Sequence, residues 1–244
     1  MIVVVGLPAY ADSPAGASPA GASPAGASPA GASPAGASPD GEKCAGGMAV
    51  EVAAAAQRRG SQVELVGKVG EDGAGDAVVL ALGRLGIGHA ALLRDPVRPT
   101  PVLTAGAALV DDSTGIDADT PVATMFPANP AERPSLDAAD IELALRYLAA
   151  STVIVLADPL PDGALAVAVD AATFATARLI VVVPAGSPPP EVSVEATVLE
   201  APADDDGSFG RMVGTFAAAL DAGVDPAAAF REAVTASGWE SAAD

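Results

Sequence analysis

The residues best suited to chemistry in this sequence are glycines and carboxylates. An acidic triplet, Asp204-Asp205-Asp206, runs directly into Gly207. Such a cluster could hold Ca²⁺ or Mg²⁺, but the later glutamate of a calcium loop is missing, so a solvated cluster at a helix start is expected. The run Val66-Gly-Lys-Val-Gly-Glu-Asp-Gly-Ala-Gly-Asp76 carries Glu71 and Asp72, which serve either as ligand contacts or as turn and capping acids. Lys68 and Arg98 could neutralise a phosphate or form ordinary ion pairs. Cys44, close to the pair Gly46-Gly47, is a candidate thiol. No histidine lies near it in sequence, and a small buried side chain is the simpler role. His89 follows Gly88 at the start of an expected strand and reads as a packed or surface histidine rather than a base. A single cysteine excludes an internal disulfide and any multi-cysteine zinc site. No metal ligand set is expected.

These side chains need a scaffold, and the composition limits which one. Twelve basic and 31 acidic residues in a chain of 244 give a net charge of −19, and that field repels nucleic acid, anionic lipid and polyphosphate surfaces. Half the residues are hydrophobic but only 3% are aromatic; alanine is the commonest of the remainder, so the core should be helix-rich with few large anchors. From Ser13 the unit Ser-Pro-Ala-Gly-Ala recurs five times and closes at Ser38-Pro39-Asp40. Proline at every fifth position blocks helix and central strand, so residues 13–39 are expected to form an extended, mobile loop.

Elsewhere strands and helices alternate. Strands are expected at 1–6, 62–66, 89–93, 102–110, 152–156 and 178–183, and helices at 46–60, 74–85, from Asp137, 162–175, 207–222 and 225–237. Asp137 with Asp140 three residues later, flanked by Leu136 and Ile141, has the form of a capping box with a hydrophobic staple. Met212, Phe216 and Leu220 form one stripe of the helix at 207–222, Asp225 precedes Pro226 as an N-cap, and Trp239 should pack the last helix down. This alternation implies a largely parallel sheet whose ligands sit beyond the strands' carboxyl ends. No apolar run reaches the roughly 20 residues of a spanning helix. Met1-Ile-Val-Val-Val-Gly6 lacks the basic start of a signal peptide. A soluble, cytoplasmic protein is expected.

The order of several motifs resembles the ribokinase-like carbohydrate kinases of the phosphofructokinase-B type. The opening strand ends in Gly6, and Gly46-Gly47 precedes an alanine-rich helix. The run from Val66 to Asp76 is similar to that family's G-x-x-G-x-D-x-x-G signature. Leu82-Gly-Arg-Leu-Gly-Ile87, Arg98-Pro-Thr-Pro101, Pro127-Ala-Asn-Pro130 and the stretch Leu136–Ile141 follow in the family's order. The likeness covers residues 1–6 and 41–185, and 204–237 more loosely. It implies one α/β domain over 1–244, a three-layer sandwich with a mainly parallel central sheet, its lid replaced by the repeat. It also implies transfer of the γ-phosphoryl of Mg-ATP to an alcohol, with a G-A-G-D helix start cradling phosphate and supplying the base.

The residues at those positions depart from the pattern. Aligned on Val213-Gly-Thr-Phe216, the G-A-G-D motif falls on Gly207, Ser208, Phe209 and Gly210, so glycine stands where the base is expected. Phe209 replaces a glycine and should obstruct the anion hole. Asp206 is the one nearby acid that could act as a displaced base. On the sugar side the expected aspartate falls on Ala11, with Asp12 one place late, and the asparagine after Gly46-Gly47 falls on Glu51. Between Val198 and Asp204 the stretch for the Mg²⁺-linked N-x-x-E and further nucleotide strands is missing, and neither Glu195 nor Glu200 restores its spacing. The expected protein is therefore carbohydrate-kinase-like but catalytically impaired, binding a small sugar- or nucleoside-like ligand, or a partner, through Asp12, Gly46, Gly47 and Glu51. An active kinase using Mg-ATP and an assembly protein presenting the repeat are the alternatives. A homodimer is compatible, with the contact normally made by the lid lost.

Overall fold

The computed structural model describes residues 1–12, 45–104, 132–190, 192, 196–202 and 207–237. The repeat at 13–39, Cys44, Pro127–Pro130, Glu195, Asp204–Asp206, Trp239 and the side chain of Asp12 lie outside the described residues.

Short runs of β-branched residues form the centre of the molecule. Strands β1 (Ile2–Val5), β3 (Val63–Gly70), β4 (Leu92–Asp95), β6 (Val153–Leu156), β7 (Arg178–Val183) and β8 (Ala196–Glu200) form one parallel sheet in the order β4-β3-β1-β6-β7-β8. All four residues of β1 and of β6 are buried, as expected of strands covered on both faces. Val5 stands in register with Val66 on one side and Leu156 on the other. A separate pair, β2 (Tyr10–Asp12) and β5 (Val102–Thr104), is also parallel.

Strand alternation divides the core in two. Ile2, Val4, Leu65, Val155 and Ile180 point to a face covered by α1 (Met48–Arg58), α2 (Gly73–Arg84), α5 (Ser208–Asp221) and α6 (Pro226–Ser237). Val3, Val5, Ile154, Leu156 and Val181 point to the opposite face, under α3 (Ala138–Tyr147) and α4 (Asp162–Ala175). Helices on both faces of one parallel sheet make the expected three layers.

Local signals set most boundaries. The capping box of α3 is formed as expected: Asp137 Oδ1 accepts from Asp140 N at 2.9 Å and Asp140 Oδ2 from Asp137 N at 3.1 Å, over a buried Leu136 and Ile141. Gly60 and Gly86 take positive φ just beyond α1 and α2. Asp225 Oδ1 caps α6, accepting from Ala227 N and Ala228 N.

Four strands differ from expectation. The strand expected at 62–66 continues to Gly70 because it pairs with Leu92–Asp95, which also places the next strand three residues later than 89–93. Glycine is required inside β3: a Cβ on Gly67 would lie 2.6 Å from the Gly6 carbonyl oxygen. Strands β2 and β8 were not expected. Both depend on a neighbour for their pairing, β5 and β7 respectively. The segment between the first strand and Gly46 thus begins with a short strand before the repeat, rather than being wholly taken by it.

Candidate functional site

The sheet's topological switch point lies between β1 and β6. From β1 the chain crosses by α1 on one face, and from β6 by α4 on the other, so the crevice in which sheets of this kind take ligands falls beyond their carboxyl ends. Gly6 and Asp158 stand there together. The Leu7 N–H donates to Asp158 Oδ2 at 2.7 Å, and a Cβ on Gly6 would lie 2.5 Å from that oxygen. Burial pushes the Asp158 carboxyl up to about 6, against the Leu7 hydrogen bond and the Arg133 charge, which favour the anion. Sequence reasoning missed Asp158. The Ala157-Asp158-Pro159 stretch reads as an ordinary strand end, and only the pairing of β1 with β6 reveals the carboxyl as facing Gly6.

The expected glycine pair sits beside this crevice. Gly46 forms an antiparallel bridge with Ala9, and a Cβ there would meet Leu103 Cδ1 at 3.0 Å and Ala11 Cβ at 3.3 Å. Gly46 therefore underlies the small sheet, and Gly47, at φ 93°, is the N-cap of α1. The first turn of α1 then points two ways. A Cβ on Gly6 would meet Ala49 Cβ at 2.8 Å, so Ala49 faces β1. Met48 and Glu51 face α5, where a Cβ on Gly210 would lie 2.8 Å from Glu51 Oε2 and 3.3 Å from Met48 Sδ.

The start of α5 is where the resemblance placed the phosphate cradle. Gly207 is its N-cap at φ 87° with no side-chain cap, and its first turn holds no acid. The expectation for Phe209 needs correcting. Its ring is 2% exposed, packed in the core beneath α1 and α5, so it does not cover the helix mouth. The second position of this helix faces the sheet, and an apolar ring is drawn inward there. Glu51 is the residue at the mouth. A Cβ on Gly207 would lie 2.8 Å from Glu51 Oε2 and 3.0 Å from Oε1.

The glycine-rich signature folds into a latch. Asp72 caps α2 through the Gly75 N–H at 2.7 Å and also accepts from Thr100 N at 2.8 Å and Thr100 Oγ1 at 2.7 Å. Burial alone would raise its carboxyl. The Thr100 and Gly75 hydrogen bonds and the Arg94 charge outweigh it and hold Asp72 below the usual carboxylate range. The capping role is thus the one realised. Lys68 bonds Asp140 at 2.6 Å, tying β3 to α3, and Arg98 lies 3.5 Å from Asp95. His89 Nδ1 lies 3.0 Å from the Ile87 carbonyl oxygen, a local contact. A concavity of about 550 Å³ at the β4 edge is lined by Asp95, Val97, Arg98, Pro99 and Glu132. Asp95 there is already the acceptor for Val97 N and Arg98 N, both at 2.9 Å.

No family model matches the sequence, and no curated protein is similar enough to count as a relative. Solved structures do match. The crystal structure of Sa239 superposes with a TM-score of 0.64 at 13% identity, over 97% of this chain and 92% of that one. Ribokinase from Arabidopsis thaliana, complexed with ribose and ATP, gives 0.60 at 16% identity, over 97% and 90%. A PfkB protein from Polaromonas sp. JS666 gives 0.50 at 16% identity, over 74% of this chain and only 54% of that one. Among the described residues no helix is long and apolar enough to cross a membrane. With its sheet order, two helical layers and these superpositions, the chain has the fold of the ribokinase-like carbohydrate kinases.

Proposed function

We propose that this protein binds a small hydroxyl-rich ligand, sugar- or nucleoside-like, in the crevice beyond β1 and β6, and does not transfer a phosphoryl group to it. One observation carries the reading: Gly210 stands at the position of the expected base, and Glu51 Oε2 lies 2.8 Å from where its Cβ would be. That place has no side chain to accept a hydroxyl proton, and an anion already stands beside it. Without a positioned base a loss of roughly 10²–10⁴ in rate follows. The residues at this helix start do not fit the γ-phosphate of Mg-ATP, because a carboxylate there opposes a second anion. On the ligand side Asp158, seated against Gly6, offers a carboxyl to a ligand hydroxyl.

Calorimetric titration of the full chain with Mg-ATP, D-ribose and adenosine, beside a coupled assay for ADP, tests the reading. Saturable binding of a hydroxylic compound without ADP formation is the expected result. Sugar-dependent ADP production by the wild type would overturn it. A working kinase is the second reading, favoured by the Asp158 carboxyl at about 6, a value suited to taking up a proton near neutral pH. It requires turnover, and requires that Asp158→Asn abolish it.

A further inference from the structure

The first N–H groups of a helix have no partner within the helix, and a side chain at the N-cap normally accepts from those of the second and third positions. Gly207 has no side chain to do so. The carboxylate of Glu51, reaching over from α1, lies 2.8 Å (Oε2) and 3.0 Å (Oε1) from where a Gly207 Cβ would be. A capping aspartate or serine at 207 would put its own oxygen in that same region. The carboxylate also borders Gly210, one turn on, with Oε2 and Cβ each 2.8 Å from a Cβ there. A group in contact with both positions spans the first turn of α5.

We propose that Glu51 is a cap borrowed from α1, an internal anion that completes the α5 helix start and thereby closes it to phosphate. Its meaning for the ligand rests on the reading of the site as one that binds without transfer, and deepens it. The hydroxyl-rich ligand must be unphosphorylated at the end facing α5, because a phosphate would have to displace a carboxylate held against the same helix turn. The arrangement also couples two positions. Gly210 is the clearance that Glu51 needs, and an aspartate there would meet Glu51 both sterically and in charge. A shorter, uncharged residue at 51 would remove the charge conflict and the contact with Oε2, leaving only the contact with the Cβ of residue 51.

The test uses the full chain and inorganic pyrophosphate, with thermal unfolding at matched ionic strength and calorimetry as readouts. Glu51→Ala is expected to lower the melting temperature by about 2–4 °C, the loss of one cap in a chain of this size. It should then regain stability saturably with pyrophosphate, which the wild type should not bind. Glu51→Gln, nearly the same shape without the charge, should fold even if the alanine variant does not, and should bind pyrophosphate more tightly than the wild type. Gly210→Asp should lower the melting temperature more in the native background than beside Glu51→Asn. Saturable pyrophosphate binding by the wild type, equal responses in wild type and Glu51→Gln, or equal cost of Gly210→Asp in both backgrounds would each overturn the proposal. Sugar-dependent ADP formation would instead overturn the functional reading and leave these stability comparisons standing.

Discussion

Asp158 makes a prediction about stability that needs no ligand. Its carboxyl is raised from the ordinary 3.8 to about 6, so the folded protein keeps a proton that the unfolded chain releases. Between those two values the native state binds more protons than the unfolded state, and stability from this group therefore falls as pH rises. Below 3.8 both states are protonated and the contribution vanishes; above 6 the full cost is present. A shift of about 2 units at ~1.4 kcal/mol per unit makes that cost about 2–3 kcal/mol. Asp158→Asn keeps an oxygen for the Leu7 N–H, now 2.7 Å from Oδ2, and removes the buried charge. The variant should match the wild type near pH 3.5 and exceed it by about 2–3 kcal/mol at pH 7.5, roughly 4–12 °C in melting temperature. Urea unfolding followed by far-ultraviolet circular dichroism from pH 3.5 to 8 measures this. The difference between the two curves is the quantity to read, since other carboxylates act equally in both. A variant no more stable than wild type at pH 7.5, or a difference that does not change with pH, would refute the reasoning. The Arg133 charge would then outweigh burial.

The remaining predictions concern the scaffold. Thr176 ends α4 in the left-handed region at φ 54°, so Thr176→Gly should stabilise the protein by about 1 kcal/mol, read from the denaturation midpoint. Gly214→Ala should do the reverse of what helix propensity suggests. A Cβ there would meet the Val52 carbonyl oxygen and lie 2.7 Å from Ala55 Cβ, where α5 crosses α1, and a loss of about 1–3 kcal/mol is expected in chemical denaturation. Asp72→Ala removes the α2 cap and the anchor of Thr100 together, for a loss of about 2–3 kcal/mol at pH 7. Asp72 titrates below its ordinary value when folded, so its stabilisation is complete above 3.8 and lost as pH falls below that. The destabilisation of Asp72→Ala should shrink accordingly in acid.

How much of this could be seen in the sequence depends on how far each signal reaches. Helix α4 and strand β7 begin and end where expected, and α3 is capped by the expected acids, because those boundaries are fixed by residues within one turn of one another. Strands β2 and β8 are three and five residues long, and β4 takes its register from Gly67–Gly70. Such short strands carry no period of their own and exist through their partners. The site divides along the same line. Gly47 and Asp72 do what local chemistry demands, whereas Phe209 was misjudged because a position on a helix gives no direction until the helix is packed. Asp158 gains its environment from Gly6 and Leu7, at the far end of the sequence. Along the chain, Glu51 and Gly210 read as two separate departures from a kinase pattern. In the fold they face each other across the α1–α5 contact, the carboxylate in the space left by the missing Cβ. An aspartate at 210 would meet Glu51 in shape and in charge. In the function proposed above, the empty base position and the occupied helix start therefore depend on one another, and neither residue can be assigned a role without the other.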